Sequence, residues 1–287
     1  MTSTLAVREH VTTVDVRGPW SLATCRAFWE GFTPAALPAH DDPQQLRAVF
    51  LCESDWRRAT ATVAQHGRIA VLQVAGEGDL EAAAAQVSRF LSLDVDARAW
   101  PDVAARDPVI ANAQAQLPGL RPCGFHSPYE AAAWAVLSQR LRIPQAARLR
   151  QDLIARHGDD GAFPTPHDLR RADLDLPGRK NDYLRAVAAA ALEGRLDTET
   201  LRRLDPDHAM TAVQDIKGLG PFGAELVVLR GANTTDTLPR HEHRLTAVID
   251  QLYGPDRPLA ELSLPWRPFR TWAAIHLRSL GERPADG

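Results

Sequence analysis

Lysine is almost missing from this chain of 287 residues: only Lys180 and Lys217 occur among 33 basic residues. Cysteine is scarce too. Cys25, Cys52 and Cys123 lie far apart and make no CxxC pair, which argues against a disulfide framework, a zinc knuckle and a four-cysteine iron–sulfur cluster. No apolar run approaches the ~20 residues of a membrane helix. The opening MTSTLAVREH lacks the basic-then-apolar layout of a secretion signal, so a cytoplasmic protein with no membrane partner is expected. A positive surplus is also lacking. The formal net charge is −3, which does not advertise a nucleic-acid binder. Residues 1–120 carry 10 Lys/Arg against 14 Asp/Glu and residues 121–287 carry 23 against 22, a difference too small to decide anything. The arginine bias suits bidentate phosphate contacts, and composition bias explains it equally well.

What is present reads as a soluble globular chain, 45% hydrophobic and 24% charged, with room for one large or two ordinary domains. Residues 1–94 have a mixed character. LAVREHVTTVDV alternates apolar and polar residues at the period of a half-buried strand, and LRAVFLCES and RIAVLQVAG carry further strands with a turn at HGR. DLEAAAAQVSRFLSLD then shifts to helical period behind Asp79 as N-cap. From residue 95 to 287 strand signals vanish. Ser127, Pro128 and Glu130 make a capping box for SPYEAAAWAVLSQRL, and Gly158 and Gly194 close two later helices. The expected fold class is α+β: a small antiparallel sheet plus helix, followed by an all-α region of roughly ten helices.

The most specific stretch is AVQDIKGLGPFGAELVVL, residues 212–229. A helix ends near Asp215, a Gly218-Leu219-Gly220 turn follows, and Pro221 opens a second helix. Glycines at 218 and 220 permit positive φ and a close approach of a partner to the main chain. The second helix presents its unpartnered N–H groups and the positive end of its dipole, a seat for one phosphate. Ile216 and Leu219 can lock the two helices, and Ala224 is small enough to let them cross closely. The turn carbonyls of Gln214, Ile216 and Leu219 could hold a monovalent cation, sodium or potassium; no other cofactor is expected. An ordinary tight turn between helices is the plainer alternative.

With its surroundings, this stretch resembles the helix–hairpin–helix DNA glycosylase superfamily, specifically its 3-methyladenine DNA glycosylase II branch. VSRFLSLDVD resembles the family's junction between its N-terminal and helical domains. LPGLRPCGFHSPYEAAAWAVLSQRLRIPQAA resembles its first helix pair with a Gln-bearing loop, and LPGRKNDYLRAVAAAALEG and WRPFRTWAAIHL its middle and closing segments. The resemblance implies an all-α helix–hairpin–helix domain over 95–287 and excision of alkylated purines such as 3-methyladenine by a monomeric, nucleoid-associated bacterial enzyme. Its partner would be double-stranded DNA carrying damaged bases. Gly218, Leu219, Gly220, Lys217, Gly223 and Arg240 would meet the DNA backbone. Gln139 and Arg140 lie at the wedge that fills the gap behind a flipped base, with Arg140 either stacking on the orphaned base, reaching a phosphate or simply exposed.

The same resemblance gives RHEHR, residues 240–244, its meaning. The family carries a catalytic aspartate where this chain has Glu242. A carboxylate there stabilises the oxocarbenium character of the sugar as the base departs. The extra methylene displaces it by ~1.5 Å, a scale at which positioning losses reach ~100-fold, so either the pocket is rebuilt or only DNA affinity persists. The latter alternative is a non-catalytic protein binding damaged or structured DNA. Side-chain metal binding is not expected, since residues two apart on a helix diverge and His241 and His243 cannot share an ion readily. For the base pocket the resemblance points to Phe222, Leu226, Arg278 and Ser279, with Trp134, Tyr129 or Trp272 as compensating aromatics. Relatives with lyase activity carry a nucleophilic lysine where this chain has Phe222, so a monofunctional hydrolase is expected.

Overall fold

The computed structural model describes residues 7–31, 42 and 44–281. Its N-terminal part is a four-stranded antiparallel sheet with the order β1-β4-β3-β2, built from β1 (Arg8–Asp15), β2 (Gln45–Leu51), β3 (Arg58–His66) and β4 (Ile69–Gly76). Between β1 and β2 lies the helix α1 (Leu22–Gly31), which sequence periodicity had not marked. β3 is the unforeseen strand. RATATVAQH alternates alanine and valine with polar residues, and Ala59, Ala61 and Val63 are buried in the core. Small residues give a weak apolar signal, yet they let the sheet pack tightly against α2 (Leu80–Phe90). Asp79 caps α2 through the Ala82 amide, as its sequence predicts.

The helical part runs α3 (Trp100–Arg106), α4 (Pro108–Gln116), α5 (Pro128–Leu137), α6 (Ile143–His157), α7 (Pro166–Arg171), α8 (Lys180–Leu192), α9 (Thr198–Arg203) and α10 (Pro206–Gln214). It continues through α11 (Pro221–Glu225), which passes into a π-helical turn at Leu226–Gly231, then α12 (His243–Tyr253), α13 (Leu259–Leu262) and α14 (Arg270–Gly281). The fold is α+β. At α5, Ser127 accepts the Glu130 amide at 3.1 Å, but the reciprocal half of the expected box is missing. The Glu130 carboxylate turns instead to Arg150, 2.9 Å away.

Three cores organise these elements. One holds the sheet, α1 and α2. A second is centred on α5, α8 and the helix pair α10–α11. The third joins α3 and α4 to α12 and α14, around Trp100, Trp266 and Trp272. Asp107 ties this last core together: Oδ1 caps α4 and Oδ2 accepts from Tyr253 Oη at 2.8 Å and Trp266 Nε1 at 2.7 Å. A fully hydrogen-bonded carboxylate can be buried without leaving an orphan. Arg121, wholly buried, does the corresponding work between the sheet and the helices. Its guanidinium donates to the carbonyls of Arg17, Pro19, Ser92 and Val95, and burial lowers its pKa to about 10 against the opposing pull of Asp94 and Asp96.

Candidate nucleic-acid interface and base pocket

The turn between α10 and α11 has one residue that only glycine can supply. Gly218 adopts φ +98°, and a Cβ there would fall 2.4 Å from the Tyr183 ring. Gly220 departs from the expectation: its φ is −98°, ordinary extended backbone. What its missing side chain provides is access, since nothing lies within 4 Å of where a Cβ would project. Ile216 and Leu219 are buried as expected, Ala224 is fully buried at the crossing, and Leu219 N donates to Ile216 O at 3.0 Å. Lys217 stands exposed on the turn. Gly223 is buried, with its Cβ position 3.4 Å from Ala135 of α5. It is a close-packing position and not a surface offered to a partner.

Beside this turn runs the segment 138–142, which links α5 to α6. Gln139 does not face outward: its Nε2 donates to Gly218 O at 2.6 Å, lashing the two loops together. Lys180 closes the arrangement from beneath, with Nζ donating to Val136 O at 2.8 Å and Gln139 O at 2.9 Å. The side chain is buried, which lowers its pKa from the usual lysine value. Arg140 is left exposed at the tip, in the left-handed region at φ +57°, and Arg142, the N-cap of α6, is exposed two residues on. A rigid base with an exposed cationic side chain at its tip is the shape a wedge requires.

Glu242 occupies the N-cap position of α12, where its carbonyl accepts from Leu245 N at 3.0 Å and Thr246 N at 3.2 Å. Its side chain makes no cap hydrogen bond. It extends into a cleft between α11 and α14, where it pairs with Arg278. The cleft encloses about 470 Å³ of empty space, its open mouth included. Phe222, Leu226, Leu229, Ala274 and Ile275 form the apolar walls, with Glu225 and Arg230 deeper in. Phe222, Leu226 and Arg278 thus meet Glu242 in one place. Trp134 does not join them. It is 4% exposed and packed in the core around α5. Tyr129 and Trp272 are core residues as well, and Ser279 donates back to Ile275 O within its own helix. Aromatics at helical spacing went inward because burial of their large apolar area outweighs any pocket role.

The remaining members of RHEHR separate cleanly. Arg240 is exposed and pairs with Asp207 at 3.2 Å. His241 turns toward Glu225, with Nδ1 2.8 Å from Oε1, and His243 and Arg244 are exposed on α12. Among the described residues no three His, Cys, Asp or Glu side chains converge as a metal site would require. Two residues that matter here carry little functional signal in the sequence. Glu225 sat inside an apolar helix pattern, although a lone acid there is itself a signal of a buried polar contact. Lys180 was one of two lysines in an arginine-rich chain, a preference that fits a compact ammonium bonding to two carbonyls.

The geometry has close counterparts. The chain is 26% identical over 212 residues to a DNA-3-methyladenine glycosylase of Bacillus subtilis, covering 67% of this chain and 69% of that one. It is 29% identical over 175 residues to DNA-3-methyladenine glycosylase 2 of Escherichia coli, covering 56% and 60%. The solved 3-methyladenine DNA glycosylase of Archaeoglobus fulgidus superposes with a TM-score of 0.75 at 18% identity, over 94% of this chain and 98% of that one. These likenesses support the helix–hairpin–helix DNA glycosylase superfamily and its 3-methyladenine glycosylase branch. A Schizosaccharomyces pombe 3-methyladenine DNA glycosylase solved in complex with abasic DNA matches at TM-score 0.52 and 25% identity over 60% of this chain and 91% of that one. No family model matches the chain. Its matches span between 44% and 80% of the length of the curated relatives. Among the described residues no helix is long and apolar enough to cross a membrane.

Proposed function

We propose that this protein is a monofunctional base-excision-repair glycosylase that hydrolyses the N-glycosidic bond of alkylated purines, such as 3-methyladenine, in double-stranded DNA. The observation that carries the reading is the Glu242 carboxylate projecting into the α11–α14 cleft instead of capping its own helix. In this reading the hairpin amides and Gly220 hold one phosphate and Lys217 adds charge. A sodium or potassium ion on the carbonyls of Gln214, Ile216 and Leu219 would stiffen the turn. Arg140 enters the stack as the damaged nucleotide swings out. The base enters beside Phe222 and Leu226, and the carboxylate faces the deoxyribose. As the bond lengthens, positive charge grows on the sugar, and an anion fixed in an apolar cleft stabilises that charge more than water would. The same carboxylate orients a water for attack. A base already made cationic by alkylation departs without a strong general acid, so one carboxylate suffices.

Phe222 in place of a nucleophilic lysine, together with the exposed position of Lys217 away from the cleft lining, supports hydrolysis without a lyase step. The Arg278–Glu242 pair supports a second reading, a non-catalytic protein that binds damaged DNA with the carboxylate permanently engaged. Duplexes carrying 3-methyladenine, 7-methylguanine, hypoxanthine or ethenoadenine, tested for alkali-sensitive abasic sites, separate the two. An enzyme yields such sites and Glu242→Gln abolishes them without loss of DNA binding. A binder yields none with either protein.

A further inference from the structure

We infer that Glu225 is a positioning residue that sets Glu242 in register with the phosphate-gripping hairpin; the inference rests on the reading of Glu242 as the reacting carboxylate. Glu225 ends α11, four residues after Pro221, and is only 4% exposed. Both of its carboxylate oxygens clasp the main chain just ahead of Glu242. Arg240 N donates to Oε1 at 2.8 Å and His241 N donates to Oε2 at 2.9 Å. The His241 ring adds a third contact to Oε1 at 2.8 Å through Nδ1. Two consecutive amides on two oxygens of one carboxylate fix the direction of a peptide plane as well as its distance, and charge-assisted contacts of this kind are stronger than neutral ones.

The clasp has a neighbour on each side. Upstream, Thr237 N donates to Thr271 Oγ1 at 3.0 Å, and Thr271 Oγ1 donates to Thr237 O at 2.7 Å. Downstream, the Glu242 carbonyl receives the first amides of α12. The six residues from Thr237 to Glu242 are therefore pinned at both ends and in the middle, and only the middle pin belongs to the hairpin helix. A phosphate seated on α11 and a carboxylate carried by the following turn share one rigid link, Glu225. That link answers a specific need of this chain. Its reacting acid has an extra methylene and one more rotatable bond than an aspartate, so its main-chain origin must be held the more firmly for the oxygen to land where the sugar carbon will be. The clasp also gives His241 a role: its ring packs onto the carboxylate that orients the catalytic turn and does not touch the cleft itself.

The test uses the full chain and single-turnover base release from methylated duplex DNA with wild type, Glu225→Ala, Glu225→Gln, His241→Ala and, as a stability control away from the site, Val63→Ala in the core of the sheet. Thermal unfolding and binding to a duplex with an abasic analogue are measured on each. Glu225→Ala is expected to slow release at saturating enzyme on the order of 100-fold, with half-saturation and abasic-duplex binding within threefold of wild type. Glu225→Gln, which keeps one accepting oxygen, is expected to recover part of the rate, and His241→Ala to lose less than Glu225→Ala. The control is expected to unfold at lower temperature while releasing base at the wild-type rate. Rates within twofold of wild type for both Glu225 variants overturn the inference. So does a rate loss that the control reproduces at equal loss of stability, or one matched by an equal loss of DNA binding. A wild type that releases no base from any substrate removes the reading of Glu242 itself, a different and recognisable result.

Discussion

Arg278 of α14 reaches across the cleft to pair with Glu242, placing a guanidinium on the wall opposite Phe222. Both side chains are partly exposed, 24% and 21%, so solvent weakens the pair without abolishing it. Its presence sets the electrostatic character of the site. Aromatic faces attract cationic bases, and among the described residues that line the cleft Phe222 is the one aromatic, sharing it with the Arg278 guanidinium.

Replacing Arg278 should therefore change which damaged base the pocket prefers. Arg278→Leu is expected to raise the release of cationic 7-methylguanine relative to neutral hypoxanthine by roughly tenfold, the equivalent of ~1.4 kcal/mol of removed repulsion. Single-turnover rates on matched duplexes measure the ratio. A ratio equal to that of wild type would show that the guanidinium takes no part in selection.

Shortening the carboxylate tests whether the cleft is built around glutamate. In Glu242→Asp the oxygens retreat from the cleft by about the length of one methylene, and base release should fall about 100-fold. Binding to an abasic-site duplex should be unchanged. If the aspartate variant is faster than wild type, the pocket has kept the geometry of an aspartate enzyme.

Lys180 and Arg140 divide support from contact. Lys180→Met removes a buried ammonium from the carbonyls of Val136 and Gln139 and should cost about 2 kcal/mol in denaturant unfolding. Arg140→Ala should leave stability alone and weaken duplex binding, reducing the salt slope of the binding constant by about 1 if the arginine neutralises a phosphate. A slope that does not change assigns Arg140 to stacking on the orphaned base.

His276 gives the fold an acid limit. It is fully buried against Trp100, its Nδ1 sits 2.8 Å from Trp272 O, and burial lowers its pKa to about 4 from 6.5. The unfolded chain takes up the proton near pH 6.5 and the folded chain only near 4. Its contribution to stability is thus complete above pH 6.5 and disappears as pH falls toward 4, a loss of about 3 kcal/mol. His276→Leu should flatten the fall of unfolding free energy between pH 6.5 and 4, measured by urea titration at several pH values. An equal slope in both proteins would assign the acid sensitivity to other groups.

Particular residues show where sequence reading succeeded and where it stopped. Asp79, Ser127 and Gly218 act locally, through a cap or a left-handed turn, and local rules identify them from their neighbours in the chain. β3 was hidden because alanine and threonine carry little hydrophobic signal, even though the sheet needs their small size. Trp134 was expected in the pocket and lies in the core, since one-dimensional spacing says which helix face a ring occupies but not what packs against that face. Gln139 was expected on DNA and instead donates to Gly218 O, 79 positions away in the chain. A contact at that separation exists only after folding.

The amino-acid sequence by itself determined the order of elements, the hairpin with its compulsory glycine and the acid at position 242, because caps, turns and periodicity depend on residues a few positions apart. Only the tertiary structure decided what surrounds that acid. Glu225 comes from α11 in the second core, Thr271 and Arg278 come from α14 in the third, and their contacts with residues 237–242 arise only when both cores have formed. A hydrogen bond requires atoms within about 3 Å in a fixed direction, and no spacing along the chain specifies such a meeting between separate helices.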